Sequence, residues 1–167
     1  MRRSGNSALL VLVVLLAACF PYGFAGGGLP SHIKTIAVLP FDNQTTASAL
    51  QQEILTRLTN EVHDRLGLRA ASEGTADAVV RGKITRYQAD IPVGYSADPN
   101  QVNTATRRKL QITLDVEIVD QTTGRTLWSQ KGLTTEGEYS ERAESDGRQI
   151  AVQKIVDDVI AGAQSQW

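Results

Sequence analysis

The chain has 167 residues, enough for one ordinary domain with its own hydrophobic core. Its 17 lysines and arginines nearly balance its 18 aspartates and glutamates, which argues against nucleic acid as a partner because nucleic-acid-binding domains are usually basic. The single cysteine excludes an internal disulfide, so the core alone must stabilise the fold.

The first 18 residues are typical of a secretory signal peptide. Two arginines precede an almost wholly aliphatic run over residues 8–16, and small residues follow it. This run is shorter than the roughly 20 residues of a transmembrane helix. Leu16-Ala17-Ala18-Cys19 resembles the bacterial lipobox, whose cysteine receives diacylglycerol and becomes the first mature residue. We predict that residues 1–18 are removed and that Cys19 carries the lipid; the alternative is an ordinary signal peptide with an incidental cysteine.

Residues 19–31 are predicted to comprise the lipidated cysteine and a flexible tether. The segment from Phe20 to Pro30 is rich in glycine and proline, which interrupt regular structure. A flexible segment of this length spans on the order of 20 Å. Bacterial lipoproteins retained at the inner membrane tend to carry aspartate after the cysteine, whereas Phe20 resembles a lipoprotein sent to the outer membrane. We expect the domain, residues 32–167, to lie close to that membrane.

The first half of this domain predicts a strand, a helix, a short strand over Leu68 to Ala71 and a longer strand. The segment from His32 to Leu39 is apolar on both faces, which indicates a strand covered on two sides. From Ala47 to Leu66 apolar residues recur every four positions, as in an amphipathic helix, and Gly67 is suited to end it. The segment from Ala78 to Tyr87 predicts the next strand. From Leu110 to Ile118 apolar and polar residues alternate, as in a strand with one buried face.

The second half ends in a hairpin and a helix. A turn over Asp120 to Gly124 leads into a strand from Thr126, in which the spacing does not decide whether Leu127 or Trp128 faces the core. A last helix is predicted from about Glu141 to Ala163. The order of elements predicts an α+β fold: a two-layer sandwich in which two helices cover one face of a mostly antiparallel, four- to five-stranded sheet.

The sequence contains no arrangement of residues that is typical of an active site. The one thiol belongs to the lipobox, and His32 and His63 stand apart from other potential metal ligands. Asp157 and Asp158 are neighbours on a helix and point about 100° apart, so they do not form a catalytic pair. We predict a protein that is not an enzyme, uses no metal or cofactor, and acts by binding.

The strongest candidate for a binding site is a basic cluster beside a long connection. The segment from Ala89 to Thr106 contains proline, glycine and asparagine and is long for a hairpin loop. Arg107, Arg108 and Lys109 follow it, and Arg86 precedes it. Adjacent ends of antiparallel strands lie side by side, so these four cations are expected to form a patch suited to phosphates or acidic sugars. The alternative is a solvated edge and a flexible loop.

The start of the predicted domain resembles a known family. The segments that carry this resemblance are Tyr22-Gly23-Phe24, Leu29 to Val38, Pro40-Phe41 and Asn43-Gln44-Thr45, all downstream of Cys19. They are similar to the lipopolysaccharide-assembly lipoprotein family LptE, the small subunit of the outer-membrane lipopolysaccharide translocon. One departure is Phe20-Pro21, which stands between the cysteine and Tyr22-Gly23 and changes the tether slightly.

The resemblance implies a non-enzymatic outer-membrane lipoprotein that plugs a large LptD-type β-barrel, helps that barrel assemble and contacts lipopolysaccharide in transit. The family's basic contacts do not align here position by position, so the assignment of lipopolysaccharide to Arg86, Arg107, Arg108 and Lys109 is our own prediction. A second interpretation comes from Ile36 to Phe41 followed by a helix. This pattern also resembles periplasmic lipoproteins that activate peptidoglycan synthases or build secretion pores.

Overall fold

The computed structural model describes residues 28–95, 105–140 and 143–165. The predicted signal peptide, Cys19 and most of the predicted tether lie outside these residues. The strands and helices are, in chain order, β1 (Thr35–Val38), β2 (Asp42–Asn43), α1 (Ser48–Leu66), β3 (Arg69–Ala70), β4 (Ala78–Tyr95), β5 (Ala105–Asp120), β6 (Thr126–Ser140) and α2 (Glu144–Ser165). Neither of the described helices has a stretch apolar enough to span a bilayer.

The strands form one mixed sheet in the order β3-β1-β4-β5-β6, and β2 also pairs with β4. β4, β5 and β6 are antiparallel, whereas β1 runs parallel to β3 and β4, and β2 runs parallel to β4. The α+β class is confirmed, with two helices among the described residues. The expectation of four to five mostly antiparallel strands is corrected to six strands in a mixed sheet. Parallel pairing follows from α1, because a crossover helix returns the chain to the same end of the sheet.

The core lies between both helices and one face of the sheet. The alternation predicted in β5 is confirmed, since its apolar residues are at most 3% exposed: Leu110, Ile112, Leu114, Val116 and Ile118. Helix α1 contributes Leu50, Ile54, Leu58 and Val62 to the same buried cluster. Helix α2 contributes Ala151, Val152, Ile155, Val156, Val159, Ile160 and Ala163. Gly67 ends α1 in the left-handed conformation with φ of 65°, as expected.

Helix α2 packs on β6 through two close approaches that glycine permits. A Cβ atom on Gly137 would stand 1.7 Å from the carbonyl oxygen of Gly147, so the two backbones are in direct contact. A Cβ atom on Gly162 would stand 2.1 Å from the indole ring of Trp128. Trp128 is therefore half-buried under α2, and the preceding Leu127 is only 6% exposed. Both residues contribute to the core, which answers the question that the sequence left open.

The strands β4 and β5 extend further than the sequence predicted. β4 continues to Tyr95 and β5 begins at Ala105, so half of the segment from Ala89 to Thr106, which was expected to be a loop, is strand. Residues 96–104 lie outside the described residues. The pairing register shifts between Gln88 and Ile91, where Asp90 has φ of 68° in the left-handed region. Such bulges interrupt the alternation of side chains, and the sequence pattern therefore does not indicate a strand there.

Candidate functional site

The face of the sheet turned away from the helices, here called the outer face, is mostly polar over β5 and β6, whereas near β1 it carries a small buried apolar cluster of Ala37, Ala76 and Val79. Its residues in β5 alternate with the buried ones and are Arg107, Lys109, Gln111, Thr113, Asp115 and Glu117. The neighbouring strand β6 adds Thr134, Glu136 and Glu138. Because successive side chains of a strand point to opposite faces, Arg107 and Lys109 lie on the outer face and Arg108 on the other.

Three of the four predicted cations follow one another at the start of β5, with Arg108 on the opposite face from Arg107 and Lys109, and the fourth lies apart. Arg107, Arg108 and Lys109 pair with the end of β4, whereas Arg86 pairs with Thr113. Thr113 is four residues from Lys109 along β5, a separation of about 13 Å at 3.3 Å per residue. The single four-cation patch expected from the sequence is therefore not formed. The reason is that both strands extend beyond the point at which the sequence predicted a loop.

Lys109 is the most firmly held of these cations. Its ammonium group donates to both carboxylate oxygens of Glu136, at 2.8 and 2.9 Å. Gln111 donates a further hydrogen bond to the same carboxylate at 3.0 Å, and Lys154 of α2 donates to the Glu136 carbonyl at 2.8 Å. The bond from Lys109 is the largest of the effects that hold the pKa of Glu136 below its usual range. Lys109 is thus committed to a fixed ion pair.

The two arginines have carboxylate partners as well, but these are more accessible. Arg107 pairs with Glu138, and both side chains are more than half exposed, at 64% and 54%. Arg108 pairs with Asp90, the residue at the bulge of β4, whose backbone N–H donates to the Tyr139 hydroxyl at 3.0 Å. Exposed pairs of this kind contribute roughly 0–1 kcal/mol, so an anionic ligand can displace the acid at little cost.

A buried carboxylate that the sequence did not predict lies at the opposite end of the sheet. Asp120, at the end of β5, is only 2% exposed. It accepts hydrogen bonds from the Thr123 hydroxyl at 2.7 Å and the Thr122 backbone N–H at 2.8 Å, and His32 Nε2 lies 2.8 Å away. The hydrogen bond from the Thr123 hydroxyl is the largest of the effects that lower the pKa of Asp120 to about 2, and the contact with His32 acts in the same direction. The sequence signal for this turn is an aspartate that ends a strand and is followed by Gln-Thr-Thr-Gly, and it does not show that the carboxylate is buried.

A second carboxylate fastens the chain next to His32. Asp77 accepts the backbone N–H groups of Lys34 and Thr35, at 2.9 and 2.8 Å, and the Thr35 hydroxyl at 2.9 Å. The bond from the Lys34 N–H is the largest cause of the lowered pKa of Asp77. Together with the contact between His32 and Asp120, these bonds hold the start of β1. Among the described residues no three histidine, cysteine or acidic side chains are grouped as a metal site would require.

Comparison with family models gives one match that covers most of the chain. The model described as LptE, Lipopolysaccharide-assembly, matches residues 33–159, which include every described strand and most of α2. A comparison with curated proteins gives no match.

Solved structures with the same fold come from several bacteria. Protein XCC0632 from Xanthomonas campestris has a TM-score of 0.54 at 8% identity, over 82% of this chain and 90% of that one. The PelC dodecamer from Paraburkholderia phytofirmans has a TM-score of 0.52 at 14% identity, over 84% of this chain and 95% of the PelC chain. Protein CT253 from Chlamydia trachomatis has a TM-score of 0.50 at 11% identity, over 77% of this chain and 94% of the CT253 chain. At these identities the similarity is one of fold alone.

Proposed function

The chain belongs to the LptE family of lipopolysaccharide-assembly proteins, and we propose that it is the lipid-anchored, non-enzymatic partner of an LptD-type β-barrel in the outer membrane. The observation that carries this proposal is the family match over residues 33–159. In this role the protein plugs the barrel, supports its assembly and takes part in the transport and insertion of lipopolysaccharide.

The two faces of the sheet support a role inside a barrel. One face is sealed by the two helices and holds the apolar core, whereas the outer face presents charged and hydroxyl side chains from three long strands. The interior of an outer-membrane barrel is polar, so a plug must offer it a hydrophilic surface. The outer face has the required chemistry along β5 from Arg107 to Glu117.

Cys19 is proposed as the lipidated first residue of the mature protein, with residues 1–18 removed and residues 19–31 as the tether. An acyl chain contributes about 0.8 kcal/mol of membrane affinity per buried CH₂, and stable anchoring requires more than one chain. We expect the intact mass of the membrane-extracted protein to equal residues 19–167 plus the lipid. An unmodified Cys19, or a different first residue, would show that the chain reaches the membrane by other means. Cys19→Ala should leave a domain that still folds.

Lipopolysaccharide is proposed to bind the cations predicted from the sequence: Arg107, Arg108 and Lys109 at the hairpin, and Arg86 about 13 Å further along the sheet. Charge-assisted hydrogen bonds contribute about 1.5–3 kcal/mol each when they are well formed. We therefore expect Arg107→Glu with Arg108→Glu to weaken lipopolysaccharide binding by the full-length lipoprotein at least tenfold. Because both arginines are in accessible ion pairs, the melting temperature should change little.

The matched control for this double variant is Lys34→Glu with Arg69→Glu. Both residues are exposed and lie at the β3 end of the sheet, away from the hairpin, and the change in charge is the same. The control variant should bind lipopolysaccharide as the parent does. Equal binding by the parent and by the Arg107/Arg108 variant would show that the hairpin cations are only a solvated edge.

A further inference from the structure

A shallow hollow lies on the outer face, away from the hairpin cations. It has a volume of about 570 Å³ and is open to solvent, and Gly82 and Val116 contribute to its floor. Its rim consists of charged and hydroxyl side chains: Arg81, Lys83, Asp115, Glu117, Ser129 and Lys131, with Thr126 beside them. Asp115 is six residues from Lys109 along β5, which places the hollow about 20 Å from the basic cluster.

Cations exceed carboxylates around this hollow. Arg81 donates to Glu117 at 2.6 Å, and the Asp115 carboxylate accepts the backbone N–H of Gly132 at 2.8 Å, which directs it toward the bulge of β6. Within residues 28–95, 105–140 and 143–165, the ion pairs include neither Lys83 nor Lys131. Two ammonium groups on the rim therefore remain available to an anion.

The hairpin cluster differs in this respect. There each of Arg107, Arg108 and Lys109 is matched by its own carboxylate, so the local charge is close to zero. Arg86 lies between the cluster and the hollow, opposite Thr113 and two residues along β5 from Asp115. It is exposed and is in no ion pair with the described part of the chain. The surplus positive charge of the outer face thus lies at the hollow and at Arg86.

We propose that the hollow is a second anion-binding site, which takes a phosphorylated sugar. The ammonium groups of Lys83 and Lys131 would bind the phosphate, and the exposed hydroxyls of Thr126 and Ser129 would donate hydrogen bonds to it or to the sugar. An open site on a sheet admits a group that is still attached to a large lipid or polysaccharide. This inference rests on the proposed function for its ligand, the phosphates of lipopolysaccharide.

The test compares lipopolysaccharide binding by the full-length lipoprotein in detergent and by its Lys83→Gln/Lys131→Gln variant. We expect the variant to bind at least tenfold more weakly with an unchanged melting temperature. The matched control is Lys34→Gln with Arg69→Gln, which removes the same two charges from the opposite end of the sheet and should bind within twofold of the parent. Lipopolysaccharide stripped of its phosphates should bind the parent and the lysine variant equally.

The outcomes separate this inference from the proposed function. If the parent binds and only Arg107→Glu/Arg108→Glu weakens binding, the hollow is not a site and the proposed function stands. If the parent does not bind lipopolysaccharide, both fail. Inorganic phosphate is the second probe. If it binds as tightly as lipopolysaccharide and depends in the same way on Lys83 and Lys131, the hollow is a site for free phosphate. That result would overturn the assignment of the hollow to a sugar carried by a lipid.

Discussion

Replacing Gly137 by alanine is expected to destabilise the domain by about 3 kcal/mol, at the upper end of the usual cost of overpacking. The new Cβ atom would stand 1.7 Å from the Gly147 carbonyl oxygen, and backbone atoms cannot move aside as a flexible side chain can. Helix α2 would have to shift away from β6, which would loosen the apolar contacts along the helix. Urea unfolding of the purified protein, followed by circular dichroism, measures the change.

The matched control is Gly74→Ala. Gly74 lies in the turn before β4, where a Cβ atom would have no neighbour within 4 Å and where φ is not in the left-handed region. This substitution should change the free energy of unfolding by less than about 1 kcal/mol, with stabilisation expected from the lower entropy of the unfolded chain. Equal destabilisation by the two substitutions would mean that the contact between Gly137 and Gly147 does not determine the packing of α2.

Replacing Leu114 by alanine should cost about 2–5 kcal/mol, the range for a large apolar side chain removed from a packed core. Leu114 is fully buried at the centre of β5, between the sheet and the helices. The neighbouring Thr113 lies on the outer face, where its hydroxyl is 3.1 Å from that of Thr134. Thr113→Ala should therefore cost no more than about 1 kcal/mol, the upper value for a cross-strand pair.

The same urea unfolding measurement compares these two variants. A large cost at Leu114 with a small cost at Thr113 is expected for a sheet that is covered on one face only. Similar costs at both positions would contradict the assignment of Thr113 to an accessible outer face, and with it the placement of Arg107, Lys109 and the hollow on that face.

The sequence predicted the elements whose side chains repeat with a clear period. The alternation from Leu110 to Ile118 and the four-residue repeat of α1 both reflect burial on one side, which the chain encodes locally. The short strand β3 lies within the predicted segment Leu68 to Ala71, but β2 has only two residues, too few to show any period, and no local pattern indicates which strands run parallel. The bulge at Asp90 interrupts the alternation of side chains in β4, so the sequence pattern did not indicate that the strand continues beyond it.

The candidate site was only partly predictable because its geometry depends on distant parts of the chain. The cations of the hairpin are conspicuous in the sequence, but their partners are not: Glu136 is 27 residues from Lys109 and Glu138 is 31 residues from Arg107. The separation of Arg86 from the cluster follows from strand length, which no local pattern fixes. Likewise His32 and Asp120 are 88 residues apart and meet only in the folded sheet.

The central claim, partnership with an outer-membrane barrel, is tested most directly by purifying the tagged full-length lipoprotein from detergent-solubilised outer membranes. We expect an LptD-type barrel to co-purify in a stoichiometric complex, and depletion of that barrel to lower the amount of the lipoprotein in the membrane. Recovery of the lipoprotein with a peptidoglycan synthase or a secretion pore, and without an LptD-type barrel, would contradict the proposal.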